Sequence, residues 1–402
     1  MERKEDIGRM HTAGLTIDFE YGELWRGLHR SNPLSFKKPF SFTVYKDRDV
    51  YMAEDWRGRV RYEDDDASEV IQGGIDALSD GGTIFLKFGR YNLYSKLTVK
   101  EGVLLKGEYV GSGAYPGSPR TLLVNYFDDH VIELEPGSAV EDIHIAKGVD
   151  PFTHSMIHIT ECDFNKPIWI RDVFGSSDLY SDGDFILLEI TKSANIIGVI
   201  AEGLRWYGFE NGIHLLGNPD YSGNVISGNI FTFMGKYSYI FVKMERNGGG
   251  YQSGNKFTGI MQCGSGTERG VVIDGNANEF HISSFDIPSG KYDVEVVSGA
   301  RGNIVSGWFA SVLDNGTRTK IICPYHFENS GIAVFSGDGT TTTFNIEHGL
   351  VSTPSKYGVD PLTPDAHGSK TITVDDTYIT ITFDTAPPSG TDNLKFSWWA
   401  KV

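Results

Sequence analysis

HVIELEP (130–136), SMIHITE (155–161), DFILLEI (184–190), NGIHLLG (211–217), SYIFVKM (238–244), RGVVIDG (269–275) and YDVEVVS (292–298) each carry apolar residues at alternate positions. Alternation is the pattern of a strand with one buried face. Aligned on Ile132, Ile157, Ile186, Ile213, Ile240, Val271 and Val294, the stretches recur every 23 to 31 residues. A second strand follows each, often opening at an asparagine: Asn195-Ile-Ile-Gly198, Gly223-Asn-Val-Ile-Ser-Gly228, Gly254-Asn-Lys-Phe-Thr-Gly259, Asn278-Glu-Phe-His281 and Gly302-Asn-Ile-Val-Ser-Gly307. A period of roughly 20–50 residues marks a solenoid, propeller or array. Two or three short strands per ~27 residues, with no helix in the repeat, specify a parallel β-helix, because propeller blades need about 40–50 residues and four strands. The aligned residues and their i+2 neighbours (Ile132/Leu134 through Val294/Val296) then stack as interior ladders. Each coil buries its neighbour's ladder, so no coil is stable alone. Asparagine suits the tight corners, because it tolerates left-handed backbone and bonds to nearby main chain. Stacked corner asparagines also bond to one another along the axis.

Outward from this core, DASEVIQGGIDALSD (66–80) is a helix capped by Asp66 or Ser68. Val70, Ile71, Ile75 and Leu78 form its apolar stripe. Placed just before the first coil, it covers the open end of the β-helix. Residues 1–62 are mixed: Gly22 to His29 suits one or two helical turns, and Phe40–Tyr45 and Val50–Ala53 read as strands. This part is assigned as a head or attachment region. After about residue 328 the texture changes. Gly331–Phe335, Thr341–Ile346, Lys370–Asp375, Tyr378–Phe383 and Leu394–Ala400 alternate as strands, with turn signals at Asp375-Asp376 and Ala386-Pro-Pro-Ser-Gly390. The expected fold class is therefore all-β: a parallel β-helix with its capping helix over 63–327, and a small antiparallel β-sandwich over 328–402.

Charge and composition narrow the partners. Lys plus Arg number 36 and Asp plus Glu 53, a net charge of −17, which disfavours a phosphate-backbone binder or an anionic-lipid surface. Glycine numbers 48 and aromatics reach 12 %, a composition of many tight turns between short strands. Cys162, Cys263 and Cys323 are widely spaced with no CxxC pair, so three buried thiols are expected. The opening MERKEDIGRMHTAG lacks the apolar run of a signal peptide, and no stretch approaches the ~18 apolar residues of a membrane span. Virion proteins, released by assembly or lysis, satisfy both expectations.

The stretch from Phe42 to Glu108, with DASEVIQGGIDAL, GGTIFLKFGRYNL and LTVKEGVLLKGE, resembles the opening of pectate-lyase-like right-handed parallel β-helix proteins. Similar openings occur in archaeal β-helix proteins and viral tailspikes. Phe344 to Leu350, TVDDTYITITFDTAPPSG and Phe396 to Ala400 resemble a small β domain at the ends of viral and archaeal surface proteins. The resemblance implies a right-handed coil and a surface or virion location. It is weak for activity, since the fold hosts lyases, hydrolases and plain binders. Its lyases use clustered aspartates with calcium and an arginine base; its hydrolases use aspartates beside a histidine.

Against those patterns, Asp128-Asp129-His130 reads as a turn, and Pro167-Ile-Trp-Ile-Arg-Asp172 lacks an Asp-His pair. Asp178, Asp182 and Asp184 form an acidic loop whose oxygens can hold calcium. No other cofactor is expected. No HExxH, GxSxG or phosphate loop is present; Gly248-Gly-Gly-Tyr251 precedes a strand. GLRWYGFEN (203–211) is read as an exposed aromatic loop, with Trp206 and Tyr207 stacking on sugar rings and Arg205 and Glu210 bonding hydroxyls. His348 reads as structural. On the first-strand flank the outward residues are expected to run Glu133, His158, Leu187, His214, Phe241, Val272, Glu295, and beside them Glu135, Thr160, Glu189, Leu216, Lys243, Asp274, Val297. A glycan lying along this flank would meet Glu189, His158 and His214. Glu189 and Glu210 are the acid/base candidates if chemistry occurs. The reading is thus an elongated, homotrimeric fibre or tailspike-like protein binding a surface glycan. It would attach to other virion proteins through its N-terminal region, with no nucleic acid and no membrane insertion. The alternatives are a polysaccharide lyase or glycoside hydrolase acting on an acidic polysaccharide, and a structural spacer.

Overall fold

The computed structural model describes residues 8–12 and 15–19 as backbone, and 40–108, 121–178, 180, 182–323 and 327–402 in full. The helical turns expected at 22–29 lie outside the described residues. The protein is a parallel β-helix followed by a small antiparallel sandwich. Nine parallel strands, from Leu97–Val99 to Val312–Asp314, stack into one flank. Nine layers at ~4.8 Å give a shaft of roughly 38 Å. A 17-stranded sheet, parallel from Gly82–Leu86 onward, supplies much of the remaining wall, and Ile196–Ile197, Val225–Ser227 and Tyr251–Ser253 form a short third face.

The interior ladders are where alternation places them: Ile132, Ile157, Ile186, Ile213, Val271 and Val294 are fully buried. The register departs from the expected alignment at one coil. Ile213 pairs with Val242, not with Ile240, and Val242 pairs with Val271. The cause lies at the start of the strand. Phe185 and Ile186, and likewise Phe241 and Val242, are consecutive residues buried at 0 %. Ile240, Val242 and Met244 also all face inward, so a slip of two residues leaves the alternation unchanged, and it is the adjacent buried pair that sets the register. Phe241 is core, and Lys243 takes its expected place on the outer face.

The first coil is closed by the helix Ala67–Asp76. Asp66 caps it by accepting the Ser68 N–H, and Val70, Ile71 and Ile75 are buried. It ends at Asp76, short of the Gly81-Gly82 stop. Its polar side chains satisfy the sheet edge that a parallel coil leaves open. Gln72 Oε1 accepts from Thr98 N (2.9 Å), its Nε2 donates to Thr98 O (3.3 Å), and Ser68 Oγ accepts from Tyr94 N (2.8 Å). Phe42–Asp47 pairs in parallel with Gly82–Leu86 and antiparallel with Val50–Asp55, which pairs with Val60–Asp64. Residues 42–62, grouped by sequence with the head, are therefore hydrogen-bonded into the first coil.

Asn229, Asn255, Asn278 and Asn303 form a buried ladder. Each of the first three donates its side-chain amide to the next asparagine's Oδ1, at 3.0, 3.0 and 3.2 Å, and its backbone N–H to the same oxygen. The ladder member in its first coil is Asn229, not Asn224; Asn224 donates to Ala194 O, and Asn195 caps Val225 N. Behind the ladder, Phe231, Phe257 and Phe280 stack with centroids 5.1 and 4.7 Å apart. The three cysteines are free and buried, as composition suggested.

Residues 328–402 form two three-stranded antiparallel sheets with their own core, including Phe344, Ile379, Ile381, Leu394, Phe396 and Trp398. His348 is fully buried, with Nε2 bonded to Asp375 O at 3.0 Å, and is structural. Adjacent Trp398 and Trp399 split as alternation requires: 8 % exposed against 46 %. Ile332 and Val334 pair with Ser397 and Lys395 on the face that carries Trp399, and both are exposed.

Two substitutions test this account. Asn255→Ala strips the acceptor from two buried Asn229 donors, and at ~1–3 kcal/mol each should cost roughly 3 kcal/mol in urea unfolding. A loss below about 1 kcal/mol would show the ladder to be passive. Ile213→Asp places an unpaired carboxylate at a site 0 % exposed and should abolish soluble expression.

Candidate functional site

The nine-stranded flank owes its chemistry to the outward positions between the ladders. In register these run Glu133, His158, Leu187, His214, Lys243, Val272, Glu295. The neighbouring column passes through Glu189, Leu216 and Glu245. His158 and His214 lie two layers apart, about 10 Å, with Leu187 between them.

Both imidazoles lie under carboxylates. His158 is 6 % exposed and its Nε2 is 3.1 Å from Glu189 Oε2. His214 is 7 % exposed; Nδ1 is 2.9 Å from Asp184 Oδ2, and Nε2 is 3.4 Å from Glu245 Oε2. Lys243 Nζ joins the second group, 2.7 Å from Glu245. Burial works against a charge on His214, but the bond to Asp184 and the ion pair with Glu245 outweigh it and raise its pKa to about 9. In return His214 and Lys243 hold Glu245 down at about 2. The bond from His158 likewise lowers Glu189, against its partial burial. Two half-exposed carboxylates, Glu189 and Glu245, are thereby held ionised on one column, about 10 Å apart.

Below them, His130 lies face to face with His158, centroids 3.7 Å apart, and meets the edge of His154 at 5.0 Å. Ser155 fixes the His130 ring through Oγ (2.8 Å) and N (3.2 Å) on Nδ1. Burial, then the neighbouring histidines, lower His130 to about 4. Asp128 accepts from the Thr153 N–H and contacts His154. The triple read as a turn thus feeds one side chain, His130, into the flank. Salt bridges continue along the same face: Lys96 to Glu133 (2.8 Å), Arg246 to Asp274 (2.6 Å) and Arg269 to Glu295 (2.5 Å).

The other expected site residues fall elsewhere. Trp206 is not on an exposed loop. It lies in the strand Val199–Tyr207, 1 % exposed, with Nε1 donating to Ser238 Oγ at 2.9 Å. A Cβ on Gly212 or Gly235 would overlap its ring, so those glycines make room for the indole inside the shaft. It cannot stack on a sugar. Tyr207 is 38 % exposed, edge-on to Tyr237 at 5.5 Å; Arg205 beside it is half-buried. Glu210 is exposed at the corner before Asn211, the partner of Asp184. Glu189 pairs five residues further along, so the two glutamates are separated by roughly 16 Å or more of strand. Paired glycosidase carboxyls sit about 5–9.5 Å apart, so this pair does not face one cleft.

Asp178, Asp182 and Asp184 do not share one site either: the first two meet on a lysine and the third turns away. The Lys147 ammonium stands between Asp178 (2.7 Å), Asp182 (2.8 Å) and Asp150 (3.2 Å). Asp184 turns instead to His214 and Asn211. The chain supplies its own cation where calcium was expected. Sequence reading missed Glu245 and His130. The signal for Glu245 was the recurring pair Met156-Ile157, Phe185-Ile186, Gly212-Ile213, Phe241-Val242, Gly270-Val271, which fixes the register.

No protein-family model and no curated protein matches the chain. Several solved structures similar to it are phage proteins at low identity. ORF18 of Geobacillus virus E2 is 12 % identical, over 81 % of this chain and 75 % of that one, at a TM-score of 0.43. The tailspike of Acinetobacter baumannii bacteriophage Fri1, a capsular polysaccharide depolymerase, is 11 % identical over 83 % and 82 %, at 0.24. A tailspike of E. coli bacteriophage HK620 is 9 % identical over 98 % and 97 %, at 0.31. At such scores the parallel pairing within this chain, not the likeness, defines its fold.

The His214 cluster makes stability pH-dependent. Its pKa is raised on folding, from 6.5 to about 9. The stabilisation is complete below pH 6.5 and is lost as pH rises through 9. The loss is on the order of 3 kcal/mol for a group so deeply buried. Thermal melts should fall in Tm between pH 6.5 and 9, and His214→Gln should flatten that slope. A slope unchanged by His214→Gln would refute a charged His214.

Proposed function

We propose that this chain is an elongated, virion-associated fibre of the tailspike kind that binds a surface glycan along the nine-stranded flank. One observation carries the reading. Glu189 and Glu245 are half-exposed, ionised and locked from beneath by buried imidazoles, two layers apart on a straight ladder. Rigid carboxylates accept hydrogen bonds from sugar hydroxyls at no ordering cost. Lys96, Lys243 and Arg269 beside them supply donors on the same face. The ~10 Å spacing suits an extended ligand that reaches both carboxylates better than a compact one. The glycan contacts are therefore the carboxylates, with His158 and His214 as the residues that position them.

The electrostatics favour binding over hydrolysis. A glycosidase needs one carboxyl kept protonated as general acid. Glu189 and Glu245 are both pushed the other way. The second reading, a lyase or hydrolase on an acidic polysaccharide, would need its acid from another group. A spacer role fits the shaft but gives no reason for half-exposed charges locked in place.

The N-terminal residues serve attachment to the particle, and 328–402 holds a homotrimer. Ile332, Val334 and Trp399 on one sandwich face, at 67, 45 and 46 % exposure, supply an apolar contact. Light scattering should give three chain masses for the intact protein and a smaller value for Trp399→Glu. A monomeric intact protein overturns the trimer.

Glycan-array binding tests the flank. Glu189→Gln with Glu245→Gln should lower affinity at least tenfold, two lost charge-assisted bonds at ~1.5–3 kcal/mol each being more than enough. Unchanged affinity rules the flank out. Release of oligosaccharides from a bound polysaccharide would move the assignment to the enzyme.

A further inference from the structure

His130, His158 and Glu189 bring one ring nitrogen each and a carboxylate oxygen to within 4.8 Å of one another. The cluster differs from its neighbours on the same face. Glu133, Glu245 and Glu295 are each neutralised by a lysine or arginine. Glu189 meets an imidazole instead. The two rings stack face to face at 3.7 Å, so two imidazoles stand side by side on the sheet with their lone pairs not yet convergent. His158 Nδ1, on a residue 6 % exposed, finds no hydrogen-bond partner among the described residues. Two imidazole nitrogens with one carboxylate oxygen form the three-ligand set of an open zinc site, while calcium and magnesium prefer all-oxygen shells.

We propose that His130, His158 and Glu189 bind a borderline transition-metal dication, zinc foremost, leaving a fourth position for an oxygen of solvent or of a bound ligand. The supports are partly in place. Ser155 Oγ, 2.8 Å from His130 Nδ1, is a hydroxyl that can accept from it once the ring takes the Nδ1–H tautomer, which gives up the 3.2 Å bond that Nδ1 accepts from the Ser155 N–H in this structure. That frees the far nitrogen of the ring for the metal, the usual outer-shell arrangement of a ligating histidine. Zinc–nitrogen bonds of about 2.0–2.1 Å require donors roughly 3.4 Å apart. Closing the site therefore asks for a movement of about an ångström, and for one ring to turn out of the stack so that both lone pairs meet at the ion.

The test uses the full chain, stripped by chelator and titrated with Zn²⁺ alone in a calorimeter. One equivalent should bind, and Co²⁺ in its place should show the visible absorption of a four-coordinate site. His158→Ala should abolish that site. Glu189→Gln keeps the side-chain shape and should weaken binding on the order of 10- to 100-fold, the range in which even outer-shell partners act. His281→Ala, on the other sheet beside Ser306, should change nothing. If His158→Ala does not fold, Glu189→Gln decides. No stoichiometric site, or one unmoved by Glu189→Gln, overturns the proposal. No glycan is present in this titration, so its failure leaves the glycan reading standing, and loss of the glycan reading leaves the metal site standing.

Discussion

A parallel coil cannot satisfy its own backbone. Each strand of the shaft takes its hydrogen bonds from the coil above and the coil below, and every other feature answers that demand. Within the stack it fixes which side chains become neighbours: Ile over Ile, Asn over Asn, Phe over Phe. At the corners it leaves backbone N–H groups with no strand partner. The Asn229–Asn303 ladder serves these, the Oδ1 of Asn255, Asn278 and Asn303 each accepting both a side-chain and a main-chain donor from the coil before, and that of Asn229 the Val199 N–H. At the first coil there is no coil beneath, so the Gln72 side chain takes a strand's place against Thr98, donating and accepting once each. The helix is there to bring that amide, and an apolar stripe, over an otherwise open end.

The same demand explains what was legible in the sequence. Where one residue per two faced inward, alternation named the core: Ile213, Val271 and Val294 are buried as expected. The capping helix was legible because its stripe follows period 3.6. The coil at 240 is misplaced by alternation because Ile240, Val242 and Met244 all face inward, and a slip of two residues leaves that pattern unchanged. The two-residue slip was small for the fold and large for the site. It put Phe241 where Lys243 stands and hid Glu245, half of the charged column.

Trp206 shows a second limit. An aromatic segment bounded by Gly203 and Gly208 reads as an exposed loop when taken alone. Its partners are glycines one coil on, Gly212 and Gly235, whose missing side chains form the cavity for the indole. Such pairing is visible only once the coils are in register. Dense carboxylates want a cation, so the sequence marks Asp178 and Asp182 as a cation site. The sequence did not show that Lys147, 31 residues upstream, was the one to arrive.

Stacking also decides the electrostatics of the flank. In a parallel sheet, like positions repeat every ~4.8 Å, so carboxylates in successive layers would repel. The chain spaces them with Leu187 and Leu216 and sets imidazoles or cations between them. His214 is held protonated because it lies between Asp184 and Glu245, while His130, buried and beside His158 and His154, is held neutral. One residue type thus serves two ends on one face: as a buried cation that fixes Glu245 in its ionised form, and as an uncharged ring with a lone pair to offer. The difference is set by what the neighbouring coils bring, so the chemistry of this flank is a property of register as much as of composition.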